Sequence, residues 1–160
     1  MPSRVAPDPF RDALGRFVSG VTIITTRDAA GADHGMTVSA FSSLSLDPPM
    51  ILFCIDHAAT IAPHIAAAGQ VGVSVLGEGQ EALSRRFALK DADRFEGAPI
   101  VRAPSGVALV AAAIVHLDCR VTARHEAGDH TIVEAEVTAL ETFPGEPLVH
   151  FRGSYGRLLR

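Results

Sequence analysis

The sequence predicts a mainly β domain, an antiparallel barrel with two or three short helices at its flanks. Three observations carry that reading. Six or seven strand-like segments arrive in runs instead of alternating with helices, which disfavours a parallel α/β sheet. The two clearest segments alternate with period two on either side of a glycine turn. They are Val115, Leu117, Cys119, Val121 and then Val133, Ala135, Val137, Ala139, with Ala127-Gly128-Asp129 between them. Helical spacing is confined to short stretches.

The elements follow in order. Asp8-Pro9-Phe10 reads as a helix start, with Asp8 as N-cap and Pro9 at the first helical position. Phe10, Ala13, Leu14 and Phe17 continue at helical spacing. Val21–Thr26 is rich in β-branched residues and reads as a strand, and Asp28–Asp33 as a turn. His34–Ser43 reads as a second strand, ended by an extended corner at Asp47-Pro48-Pro49. Met50–Ile55 is a continuous apolar run, expected to be buried on both faces. Thr60–Ala68 reads as a short helix with Pro63 early in it and Gly69 at its end. Val71–Leu76 alternates as a strand, Gln80–Leu89 reads as a helix, and Asp91–Gly106 as loop. In the strand that starts at Val115, the partners His116, Asp118, Arg120 and Thr122 are expected on the outer face. Leu148–Phe151 closes the chain as a last strand.

A length of 160 residues suits a single domain over 1–160, with 1–8 expected as a flexible N-terminal tail. Hydrophobic residues make up 48% and charged residues 20%, a globular balance. The net charge is -4, and Lys90 is the one lysine, so no basic stripe exists for nucleic acid. The longest apolar stretches, Pro48–Ile55 and Gly106–Val115, fall short of the ~20 residues of a spanning helix. The first ten residues show no apolar leader. Cys54 and Cys119 form no metal or redox motif and read as buried free thiols. A cytoplasmic protein with no membrane or nucleic-acid partner is the expectation.

Several motifs approach known chemistry and miss it. Gly77-Glu-Gly-Gln-Glu-Ala82 fits the spacing of a dinucleotide turn, but no second parallel strand delivers an acid ~20 residues on. It reads as a helix-entry turn. His125 and His130 are five apart across Gly128, and His57 and His64 are seven apart with no third ligand, so no metal is expected. No G-x-S-x-G elbow occurs. Thr37–Ser45 gathers hydroxyls beside apolar positions, which suits either a solvated strand face or a polar ring edge or phosphate.

Five stretches then resemble one family in its own order. Phe10–Thr26 is similar to the opening signature of the short-chain flavin reductases, the reductase components of two-component flavin monooxygenases. Gly35–Pro49 resembles their flavin-binding stretch. Arg85-Arg-Phe-Ala88 with Asp93-Arg-Phe95, Gly128-Asp-His130, and Pro147–Tyr155 resemble the segments that follow. The resemblance runs from about Phe10 to Leu158.

It implies an antiparallel split β-barrel with Greek-key topology, usually a homodimer, binding FMN or FAD near the subunit interface. Its reaction would be hydride transfer from NADH or NADPH to the flavin, with reduced flavin passed to a partner monooxygenase. His34, Gly35, Met36, Thr37, Ser39 and Ala40 would line the ring and ribityl chain, and Ser43, Leu44 and Ser45 would continue the groove. The turn Asp56–Thr60, including Ala59, would face the flavin phosphate at a helix N-terminus. Arg86 and Phe87 would sit near the phosphate or adenylate end, Tyr155 beside the flavin, and His130 where the nicotinamide docks. The family often has Asn at position 56 and Ser at 59. Asp56 would repel a phosphate unless turned away, and Ala59 offers no hydroxyl. No general acid or nucleophile is required, because the cofactors carry the chemistry. The alternative is a barrel of the same type that carries flavin or passes electrons to another acceptor such as ferric iron.

Overall fold

The computed structural model describes residues 4–90 and 93–160. Three helices occur among them: α1 (Pro7–Gly15), α2 (Ala62–Ala67) and α3 (Glu81–Ala88). The strands are β1 (Thr22–Arg27), β2 (Asp33–Val38), β3 (Phe41–Leu46), β4 (Pro49–Asp56), β5 (Gln70–Val75), β6 (Ile100–Arg102), β7 (Ala108–Val110), β8 (Val115–Ala127), β9 (His130–Thr142), β10 (Val149–Phe151) and β11 (Ser154–Gly156). Seven strands form one antiparallel sheet in the order β2-β1-β5-β8-β9-β4-β3. Its two outermost strands, β2 and β3, are consecutive in the chain and joined only by Ser39-Ala40. The sheet must therefore curl until its edges approach at that corner, which produces a barrel with a seam. Mainly β, antiparallel and helix-poor, the architecture is the one the sequence predicts.

The core follows from alternation. β1, β5 and the first half of β8 place Ile24, Val71, Val73, Leu117 and Cys119 inside, against Phe53, Ile55 and Val133 from β4 and β9. Gly72 is needed at the centre: a Cβ there would stand 2.6 Å from Thr25 Oγ1 and 2.9 Å from the Ala108 carbonyl oxygen. A second cluster, built from Val21, Ile23, Leu76, Phe87, Val110 and Leu148, fills the space under α3.

Several expectations are corrected. Helix α1 begins at Pro7, inside the segment read as a tail, and residues 1–3 of that tail lie outside the described residues. Asp8 does not cap it. The N-cap is Ala6, and Asp8 sits in the first turn, paired with Arg11 at 3.2 Å. The His34–Ser43 strand is two strands broken at Ser39-Ala40. Asp47-Pro48, a cis peptide, links β3 to β4 as a hairpin in which Leu46 faces Pro49. Met50–Ile55 is buried on one face only: Ile51, Phe53 and Ile55 are inside, while Met50, Leu52 and Cys54 are half-buried. His116 and Asp118 are buried, not outward, because the turn after β6 lies over Asp118 while Val110 of β7 and Phe143 cover His116. Ser105 donates to Asp118 from its amide at 2.8 Å and its hydroxyl at 2.6 Å. The segment read as loop contains β6, with residues 91–92 of it outside the described residues. The last strand is followed by one more, β11, paired with β10.

Candidate functional site

The seam is the first feature of the site. β2 pairs only with β1, and β3 only with β4, so each offers a row of backbone donors and acceptors along its free edge. A bulge between Ser43 and Ser45 takes Leu44 out of the β3 ladder. Ser39, Ala40, Ser43 and Leu44 are exposed there, and Met36, Thr37 and Ser45 are half-buried. The resemblance-derived residues of β2 and β3 thus lie on the two strands that flank the seam, on either side of the Ser39-Ala40 link.

Against β2 stands α3. The Thr37 hydroxyl donates to the Ser84 carbonyl at 2.6 Å, and Ser84 Oγ lies 2.6 Å from the Tyr155 hydroxyl. The Arg85 guanidinium sits 4.9 Å over the Tyr155 ring. Tyr155 is therefore clamped to the helix by both its hydroxyl and its ring face. Phe87 corrects an expectation. It is fully buried and offers no surface to a ligand. It packs edge-on to Phe95, with ring centres 5.0 Å apart, and supports β2 from behind at Gly35. Arg86 donates to the Glu96 carbonyl and fixes the following loop.

The turn after β4 is self-contained. Asp56 Oδ1 accepts the Ala58 amide at 2.8 Å, and the Asp56 carbonyl accepts the Ala59 amide at 3.0 Å. The carboxylate is thus engaged with its own backbone, a bond that an Asn at this position also makes. α2 has six residues and no side-chain cap, so the helix-end field expected here is slight. The amides of His57, Ala58 and Ala59 are all bonded within the protein, so what the turn offers is the exposed Thr60 hydroxyl.

A cavity of about 250 Å³ opens beside Thr60, walled by His34, His64, Lys90, Arg94 and Phe95 among others. Arg94 closes one side by donating to the Gly35 carbonyl at 2.6 Å and the Leu89 carbonyl at 2.8 Å. His34 Nε2 lies 2.8 Å from Asp28 Oδ2. The hydrogen bond from His34, with the amide of Ala32, holds the Asp28 carboxyl below its ordinary range. The His34 and His64 rings stack at 3.4 Å with an 11° interplanar angle. Asp28, His34 and His64 bring one potential ligand atom each within 4.8 Å of one another. A metal bound by both imidazoles would have to lie in both ring planes, and near-parallel planes this far apart share no such point. The group is a stack, not a chelate. Sequence reasoning missed it, because positions 28, 34 and 64 meet only through tertiary packing.

The β8–β9 hairpin completes the site. Gly128 takes φ 65 in the two-residue turn, and His130 opens β9 opposite Asp56 of β4. His130 Nδ1 lies 2.7 Å from Asp129 Oδ1, and that bond holds the Asp129 carboxyl down. The His57 amide donates to the Asp129 carbonyl at 2.9 Å, and the His57 ring pairs with Glu126 at 2.7 Å. The hairpin tip and the turn after β4 are therefore fastened together. His57 and Glu126 were not among the sequence-derived site residues.

Free backbone edges along a seam, near a cavity that carries Lys90 and Arg94, suit a flat polar ring with a phosphate tail. The family model described as flavin reductase like domain matches residues 14–159. The chain belongs to that family. It is 44% identical over 158 residues to an NADH-dependent flavin reductase of a Rhodococcus species, covering 96% of this chain and 88% of the relative. It is 36% identical to the reductase subunit HsaB of a flavin-dependent monooxygenase from Rhodococcus jostii, covering 94% and 77%. In three dimensions it resembles an NADH:FAD oxidoreductase of Streptomyces globisporus solved with NAD and FAD fragments. The TM-score is 0.91 at 33% identity, covering 98% of this chain and 97% of that one. The recognition made on five motifs holds, and with it the expected split-barrel fold.

Proposed function

We propose that this flavin reductase family member oxidises NADH or NADPH, reduces FMN or FAD, and supplies the reduced flavin to a separate monooxygenase. The observation that carries the reading is the seam: two free strand edges and the Leu44 bulge leave backbone groups available along β2 and β3. The reductase names of relatives at 44% and 36% identity support the same reaction and partner class.

Bound flavin supplies the hydride acceptor. The chain's own residues bind and orient. Backbone groups of Ser39, Ala40, Ser43, Leu44 and Ser45, with Met36 and Thr37, hold the ring along the seam, and amides there stabilise negative charge on the reduced ring. His34 and Gly35 belong to the same side, where Gly35 acts through its backbone. The turn Asp56, Ala59 and Thr60 receives the phosphate through the Thr60 hydroxyl. Arg86 and Tyr155 hold the layer behind β2. His130 orients the nicotinamide, with Asp129 fixing its Nδ1 and leaving Nε2 for the carboxamide or a water.

A homodimer is part of the proposal. Helix α1 buries none of its residues, and Phe10, Leu14 and the following Phe17 are 57%, 54% and 80% exposed. Nine residues do not hold a helix in water unaided, so a second copy is the proposed cover. No helix among the described residues is long and apolar enough to cross a membrane. The proposed location is the cytoplasm.

The test is NADH oxidation at about 340 nm, with and without added FMN or FAD. A flavin-dependent rate that His130→Ala lowers through a raised nicotinamide KM, about tenfold, supports the reading. Absence of any flavin-dependent rate in the unaltered protein sinks it.

A further inference from the structure

We propose that the cavity beside β2 seats the adenylate half of FAD, and that His64 makes this chain prefer FAD to FMN. The inference rests on the flavin-reductase reading and decides a choice which that reading leaves open. FMN ends at a single phosphate, and the turn Asp56–Thr60 already provides for one. The cavity that Thr60 lines has a volume of about 250 Å³, more room than one phosphate fills.

Charge selects an anion there. Lys90 and Arg94 are the cations among the described lining residues; the lining also holds Asp33 and Asp93, each of which already has hydrogen-bond donors. Asp33 grips Arg102 through two bonds of 2.7 Å. Asp93 Oδ1 accepts the amides of Phe95 and Glu96, each at 3.2 Å. Asp28 accepts from His34 and from the amides of Ala30 and Ala32. Arg94 spends Nε and Nη1 on carbonyl oxygens, which leaves Nη2 for an incoming group.

Shape selects a flat base. His34 is fixed by Asp28, and His64 is fixed by lying on His34 at 3.4 Å. Both rings line the cavity, as does Phe95. A preorganised heteroaromatic pair beside cations suits a purine attached to a second phosphate, at little ordering cost. FMN carries neither group and gains nothing from this wall.

The experiment titrates the full chain with FAD and with FMN, following flavin fluorescence. FAD is expected to bind about tenfold more tightly than FMN, the worth of one charged hydrogen bond. His64→Ala and, separately, Lys90→Ala are expected to shrink that ratio several-fold. Lys90 is exposed, so its variant keeps the test sound if removing His64 disturbs α2. Equal affinities in the unaltered protein, or a ratio unmoved by both substitutions, overturns the inference. Failure of both flavins to bind overturns the flavin-reductase reading instead.

Discussion

Gly35 and Phe87 are in contact so close that position 35 has no room for a side chain. A Cβ there would lie 2.8 Å from Phe87 Cε1 and 3.0 Å from Phe95 Cζ. Phe87 is fully buried and cannot swing aside. Gly35→Ala is therefore expected to destabilise the protein by about 1–3 kcal/mol, the range for overpacking a filled core. Chemical denaturation measures it. Combining the change with Phe87→Leu should recover part of the loss, and a neutral Gly35→Ala would contradict the packing described.

Asp56 makes a second case. Its carboxylate closes its own turn through the Ala58 amide. Asp56→Asn keeps that bond and removes a negative charge from the proposed phosphate turn. Stability should change by less than about 0.5 kcal/mol, while flavin affinity rises. Asp56→Ala loses the bond and should lower stability by about 1 kcal/mol. Melting curves and flavin titrations of the two variants separate the roles.

The Asp28–His34 bond gives a pH dependence with a definite sign. The Asp28 carboxyl is held below its ordinary 3.8, chiefly by the hydrogen bond from His34. A depressed folded-state pKa adds stability that is present above 3.8 and lost as pH falls through the lower folded value. The melting temperatures of wild type and Asp28→Asn should differ by a constant amount near neutrality. The gap should close in acid below 3.8. A gap that widens in acid would reverse the assignment.

Cys119 is expected to be inert. Burial, assisted by the neighbouring Asp118 charge, pushes its thiol up to about 12. At about pH 8 an alkylating reagent should therefore leave Cys119 unmodified in the native protein and label it once denatured. Mass spectrometry of peptides containing Cys54 and Cys119 reads each position separately.

Sequence legibility followed the range of the physics. The β8–β9 hairpin was readable because Val133, Ala135 and their neighbours alternate around Gly128, which takes a positive φ. The resemblance, not periodicity, singled out the residues along the seam. The break at Ser39-Ala40 was not readable, since small polar residues run without interruption from β2 into β3. Burial of His116 and Asp118 depends on partners distant from the strand's own pattern. His116 meets the Val110 carbonyl at 2.7 Å, and Asp118 meets Ser105. Periodicity within a strand carries no trace of a turn that folds over it. The His34–His64 stack likewise joins positions thirty residues apart. Phe87 was misplaced for a related reason: sequence put it near the ligand, and packing set it one layer behind.

The rims of the barrel's opening are neighbours along the chain, tied by Ser39 and Ala40 alone. A link this short, with the Ala40 carbonyl accepting the Cys54 amide of β4 at 3.0 Å, acts as a spacer that sets the mouth's width. One added or deleted residue there would resize the aperture while leaving the β1, β5, β8 and β9 staves in register. Descendants of this scaffold could thus be retuned toward slimmer or broader guests by editing two positions.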